Sequence, residues 1–157
     1  MSPPIVSAID LFLAEQSIAV VGVSRTRGFG NAAARALRAA GYTVFPVNEA
    51  ADEIHGERCY RRLASVPEPV GAVLVVVPPM RAAEVVEECA ALGIRKIWLQ
   101  QGSESPEAQA IAALAKMDCV YGQCILMYAR PRGVHRLHRW LHDQRERHDR
   151  RAHAAPR

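Results

Sequence analysis

The nine residues Gly22-Val23-Ser24-Arg25-Thr26-Arg27-Gly28-Phe29-Gly30 combine three properties that suit a polyanion. Glycines lack a Cβ, so backbone N–H groups can come close to a ligand, and a helix starting behind them offers unpaired N–H groups to a pyrophosphate. Ser24 and Thr26 add hydroxyl donors, while Arg25 and Arg27 add positive charge. The plain reading is a tight strand-to-helix connection with two solvated arginines. The loop's length and glycine content favour phosphate binding over it.

The class of nucleotide is less direct. Dinucleotide-binding folds use G-x-G-x-x-G, but Ser24 stands where the middle glycine belongs. Such folds also end the second strand in Asp or Glu, which binds the adenosine ribose hydroxyl. Here that strand ends Pro46-Val47-Asn48. Asn48 hydrogen-bonds without negative charge and so suits a ligand with a phosphate on its ribose. Glu49, one residue on, keeps NAD(H) open as the alternative. There is no Walker A lysine, so an NTPase is not supported.

These residues need a scaffold, and the hydrophobic pattern supplies one. Ile18–Val23, Tyr42–Val47, Gly71–Val77, Lys96–Leu99 and Cys119–Tyr121 are short apolar runs without a polar face, as in strands covered on both sides. Between them, helices are predicted over Asn31–Ala40, Arg81–Leu92 and Pro106–Met117, the first two ending at Gly41 and Gly93. Residues 49–70 read as an irregular crossover with one short helix or edge strand. The alternation predicts an α/β fold: a Rossmann-like, doubly wound parallel sheet of about five strands with flanking helices. Ligands bind such sheets at the carboxyl ends of the strands, where the Gly22–Gly30 loop lies.

Half of the 157 residues are hydrophobic, enough for an ordinary core. No apolar run spans a bilayer and no basic signal-like segment opens the chain, so the expectation is a soluble cytoplasmic protein with no membrane partner. The net charge of +4 is unevenly placed: residues 130–157 hold nine arginines against Asp143, Glu146 and Asp149, leaving the rest slightly acidic. A neutral body argues against nucleic acid as the main partner.

Other chemistry is weaker. Cys119 and Cys124 are too loosely spaced for a structural zinc pair, and with Cys59 they read as small apolar thiols, so no metal site is expected. Cys124 has a second reading as a reactive thiol. His135, His138 and His142 share one face of a helix whose Leu137 and Leu141 would pack on the domain. His55, between Glu53 and Glu57, reads as part of a solvated loop, and no catalytic residues are identified.

Several segments, in order, resemble one family: Val20-Val21-Gly22-Val23-Ser24, Gly41-Tyr42, Pro46-Val47-Asn48, Ile54-His55-Gly56, Val75-Val76-Val77-Pro78, Ile97-Trp98-Leu99-Gln100-Gln101-Gly102 and Cys124. They are similar to the stand-alone CoA-binding domains, relatives of the N-terminal CoA-binding domain of succinyl-CoA synthetase α subunits. The family usually continues Pro-Val-Asn-Pro, where this chain has Glu49. The resemblance implies a small-molecule nucleotide ligand, coenzyme A or an acyl-CoA, held without catalysis. Gly22 to Gly30 would wrap its phosphates, with Ser24, Arg25 and Thr26 nearest. Asn48 would sit beside the ribose or its 3′-phosphate, Val76, Val77 and Pro78 would flank the adenine, and Gln101 with Gly102 would line the pantetheine side. The expected organisation is a binding domain over 1–128, an amphipathic helix packed on it over 129–144, and a basic, disordered tail over 145–157.

Overall fold

The computed structural model describes residues 5–130. Its strands are β1 Ser17–Val21, β2 Thr43–Val47, β3 Glu53–Ile54, β4 Glu57–Arg58, β5 Ala72–Val75, β6 Lys96–Gln100 and β7 Asp118–Gln123. Its helices are α1 Ile5–Leu13, α2 Phe29–Ala39, α3 Pro79–Ala91 and α4 Pro106–Leu114, with 3-10 turns at Leu63–Ser65 and Ile125–Met127. Five strands form one parallel sheet in the order β2-β1-β5-β6-β7. The doubly wound α/β architecture expected from the alternating pattern is the one observed. The helix expected over 129–144 falls, after its first two residues, outside the described residues, as does the basic segment 145–157. Among the described residues no helix is long and apolar enough to cross a membrane.

The absence of a polar face on the strands has a direct cause. Side chains alternate across a strand, and both faces of this sheet are covered. Ile18, Val20, Leu74 and Trp98 pack with Phe12 of α1 and Leu37 of α2. Ala19, Val73, Val75, Ile97 and Leu99 pack with Ala82 and Val86 of α3 and Ala108 and Ala112 of α4. Every residue of β5 is buried.

The strands are shorter than their apolar runs. β1 stops at Val21 and β5 at Val75, so Gly22–Val23 and Val76–Val77 belong to the loops. Gly22 cannot extend β1, because its φ of +115° is incompatible with a strand.

Residues 49–70 contain both a hairpin and a 3-10 turn. His55 and Gly56 join β3 to β4 with φ of 52° and 79°, the positive pair that a type I′ turn needs. His55 is exposed at this turn, in keeping with a solvated loop. The chain then covers the outer edge of β2: Tyr60 N–H donates to Pro46 O at 2.9 Å, and Asn48 N–H donates to Tyr60 O at 2.9 Å. Pro46, which has no N–H, is tolerated on such an edge strand.

Helix α1 is not among the predicted elements, although Ile5, Ala8, Ile9, Phe12 and Leu13 recur at helical spacing. Nine residues are too few for a stable isolated helix, so tertiary contacts must hold it. Phe12 is fully buried and meets Trp98 edge-to-face, with ring centroids 5.3 Å apart. Trp98 also meets Tyr128 at 5.4 Å, and its indole N–H donates to Gln123 O at 3.1 Å. The Tyr42 hydroxyl donates to Leu13 O at the end of α1, 2.9 Å away. Replacing a buried phenylalanine by alanine costs about 3–5 kcal/mol. Phe12→Ala is therefore expected to lower the thermal midpoint by about 10 °C or more, measured by circular dichroism. A midpoint within about 2 °C of wild type would show that α1 contributes nothing to the fold.

Candidate functional site

From β1 the chain runs outward to β2, then returns to place β5 on the other side of β1. This reversal opens a crevice at the carboxyl ends of β1 and β5, the usual ligand position in doubly wound sheets. The Gly22–Gly28 loop leaves β1 on one side of it, and Val76–Pro78 leaves β5 on the other.

Two glycines of the loop are required by the chain itself. A Cβ on Gly22 would lie 1.8 Å from the Val76 carbonyl oxygen, and one on Gly30 would lie 2.5 Å from the Gly22 carbonyl oxygen. Gly22 and Gly30 thus let three backbone segments touch, and the close packing sets where the loop runs. Gly28 is different: a Cβ there would meet only the Ser24 Cβ, at 3.8 Å. It is the N-cap of α2, and no side chain caps that end.

The loop is held in shape by an asparagine that the sequence reading left unassigned. Asn31 is buried in the first turn of α2. Its Oδ1 accepts from Ser24 N–H at 2.7 Å, and its Nδ2 donates to Ser24 O at 2.7 Å and to Thr26 O at 3.2 Å. The Ser24 and Thr26 hydroxyls hydrogen-bond each other at 3.0 Å on the exposed side. Two contacts then tie this loop to the one after β2. Asn48 Nδ2 donates to Val23 O at 2.7 Å while its Oδ1 accepts from Ala50 N–H at 2.8 Å, and the Arg25 guanidinium donates to Ala50 O at 2.5 Å. Asn48 therefore acts here as a strut between loops. An aspartate in its place would turn a carboxylate toward the Val23 carbonyl and would disturb the loop before it altered any ribose contact.

Beneath these loops, on the α3 side, is an open cleft of about 690 Å³. Val21, Val47, Val77 and Val85 give it aliphatic walls, and Gly22, Asn48, Glu49 and Arg81 lie along it. Arg81 of α3 forms a two-pronged ion pair with Glu49, both contacts 2.5 Å. The guanidinium holds the Glu49 carboxyl below its ordinary pKa.

The other expected site residues are dispersed around this centre. Val77 lines the cleft, whereas Val76 packs against the core on the α1 and α2 side and Pro78 is the N-cap of α3. Arg27 is exposed on the loop. Gln101 and Gly102 are exposed at the end of β6, one strand beyond the crevice. There Glu104 accepts from Gly102 N–H at 2.7 Å and from Gly122 N–H at 2.9 Å, tying the ends of β6 and β7 together.

Cys59 and Cys89 are buried, and burial pushes the Cys89 and Cys119 thiols up to about 12. Cys124, just past β7, is partly exposed.

Asn31, Arg81 and Glu104 escaped the sequence reading for different reasons. Asn31 carried a faint signal as a polar residue in an alanine-rich first turn. Arg81 carried none, because its partner is 32 residues away. Glu104 looked like an ordinary residue ahead of a helix.

Known proteins resemble this chain over most of the described residues. Residues 16–130 match the CoA binding domain family. The chain is 34% identical over 103 residues to an ADP-forming acetate–CoA ligase II of Archaeoglobus fulgidus, and 32% identical over 81 residues to an ADP-forming acetate–CoA ligase of Methanocaldococcus jannaschii. These matches cover 64% and 51% of this chain, but it spans only 15% and 12% of those ligases. A conserved hypothetical protein from Pyrococcus furiosus is 35% identical with a TM-score of 0.68, covering 73% of this chain and 99% of its own. A hypothetical protein from Pyrococcus horikoshii is 26% identical with a TM-score of 0.71, covering 80% and 89%. With the glycine loop at the switch point of a doubly wound sheet and a match spanning 16–130, the chain belongs to the CoA-binding domain family.

Proposed function

We propose that this protein binds coenzyme A or an acyl-CoA ester as a ligand and performs no chemistry on it. The observation that carries the reading is the β1–α2 loop: close glycine packing sets its path, Asn31 shapes it, and the uncapped N-terminus of α2 stands behind it. Such a helix end, with Ser24, Thr26, Arg25 and Arg27 around it, fits a pyrophosphate. The aliphatic cleft next to it fits an adenine ring, with Val77 as one wall. The pantetheine arm would then run past the end of β5 toward Gln101 and Gly102. A purely binding role is supported by what the polar groups already do. Asn31 and Asn48 are engaged with backbone, as befits a preformed receptor.

An NAD(H)-binding module is the second reading, and Glu49 is its basis. A carboxylate near the end of β2 is the ribose-hydroxyl acceptor of NAD-binding folds. Here Arg81 stands beside that carboxylate, and an arginine at this place suits a phosphate on the ribose, which favours CoA.

Thermal shift with CoA, acetyl-CoA, NAD and NADH side by side tests the two readings. A ligand at 100 times its Kd adds about 2.7 kcal/mol, which raises the midpoint by about 5–10 °C for a domain of this size. A rise with CoA or acetyl-CoA is expected. A rise with NADH alone would overturn the proposal.

Asn31→Ala removes the donor and acceptor that shape the loop and leaves Ser24 N–H without its partner. It is expected to weaken CoA by at least about 1–3 kcal/mol, read by isothermal titration calorimetry. Arg25→Ala deletes one cation beside the phosphates and is expected to weaken CoA to a similar degree. If both variants keep wild-type affinity, the loop does not hold the ligand.

A further inference from the structure

The ion pair across the cleft assigns a role to two side chains that the resemblance leaves unassigned. Resting on the reading that the cleft takes CoA, we infer that Arg81 reads the ribose phosphate and that Glu49 occupies its place until the ligand arrives.

In doubly wound nucleotide folds the adenosine ribose lies at the end of the second strand, and a nearby arginine accommodates a phosphate on it. Glu49 is two residues past the end of β2, and Arg81 reaches it from the first turns of α3, across the carboxyl end of β1. Both residues lie along the cleft. Their contact is two-pronged, and a guanidinium fork that fits a carboxylate also fits two oxygens of a phosphate. Glu49 is thus an internal stand-in for an anion at the site where a ribose phosphate would come.

The pair is also free to exchange. The side chains of Arg81 and Glu49 are 45% and 63% exposed, and ion pairs this exposed contribute little net stability. A ribose phosphate carries more negative charge than one carboxylate, so it competes well for the fork. Glu84 lies 4.0 Å from Arg81 and keeps a second carboxylate beside it after exchange. The other arginines of the cleft, Arg61 and Arg62, come from the segment along the outer edge of β2 and not from α3. Arg61 pairs with Asp52 at 2.7 and 2.8 Å, and Arg62 faces Glu88 at 3.8 Å.

The test is calorimetric titration of CoA and dephospho-CoA, which lacks only the ribose phosphate, into wild type, Arg81→Gln, Glu49→Gln and Arg38→Gln. Arg38 pairs with Glu57 of the β3–β4 hairpin and serves as a surface-charge control. Wild type is expected to prefer CoA. Arg81→Gln should reduce that preference by about ten-fold or more, the loss of one charge-assisted contact. Glu49→Gln should tighten CoA several-fold and raise the preference, while Arg38→Gln should keep the wild-type ratio. If wild type binds both ligands and neither cleft variant moves the ratio by two-fold, the inference is overturned while the CoA reading stands. Weaker CoA binding by Glu49→Gln would also overturn it, since the carboxylate would then be assisting the ligand. If wild type binds neither ligand, the CoA reading itself fails and the inference goes with it.

Discussion

At the carboxyl end of the sheet, the backbone of Gly22 lies against the carbonyl of Val76 so closely that a Cβ would sit 1.8 Å from its oxygen. Gly30 presses on Gly22 from the other side, with 2.5 Å to the Gly22 oxygen for its own missing Cβ. These two approaches bring β1, β5 and α2 together at one point. They set the direction in which the loop departs from β1 and the position of the start of α2 above the crevice. Glycine is usually explained at such a loop by the approach of a ligand; here the approach of the chain to itself already demands it. The ligand site and the packing of the switch point share one constraint.

A second tier of contacts makes the loop a fixed shape. Asn31 replaces the backbone partners that a loop of this length lacks, and Asn48 and Arg25 bridge it to the turn after β2. Buried or half-buried polar groups are costly unless paired. Among the described residues no buried side-chain nitrogen or oxygen lacks a partner. A loop organised in this way loses little freedom on binding, which favours affinity through preorganisation. On the α1 and α2 face of the sheet, Trp98 has an equivalent role for the scaffold. It joins α1, β6, the end of β7 and Tyr128 into one packed group.

The likeness to the two archaeal ligases covers a small part of each, so it concerns a domain and not their reaction. The likeness to the Pyrococcus furiosus protein covers nearly all of that chain. A solved chain about as long as this domain thus shares its fold. The Glu49–Arg81 pair is a feature of this chain's own cleft. A proline in place of Glu49 would remove one carboxylate from the cleft and leave Arg81 with Glu84 alone.

The order and type of most elements were legible because apolar runs without a polar face mark strands covered on both sides, and glycine and proline punctuate what lies between. The glycine loop was legible for the same local reason: its residue types have few other uses. Helix α1 carries the same kind of local signal in the spacing of Ile5, Ala8, Ile9, Phe12 and Leu13. What the sequence does not show is its partner, since Phe12 meets Trp98, 86 positions along the chain and on another element. The roles of Asn48 and Glu49 were also beyond reach. Sequence spacing placed both beside the expected ribose, but only folding brings Val23 and Ala50 to the asparagine and Arg81 to the glutamate. Local pattern decides what a segment can form, since periodicity and turn chemistry act over a few residues. Which side chain is engaged and which is free is decided by contacts between distant segments, and those exist only once the sheet is assembled.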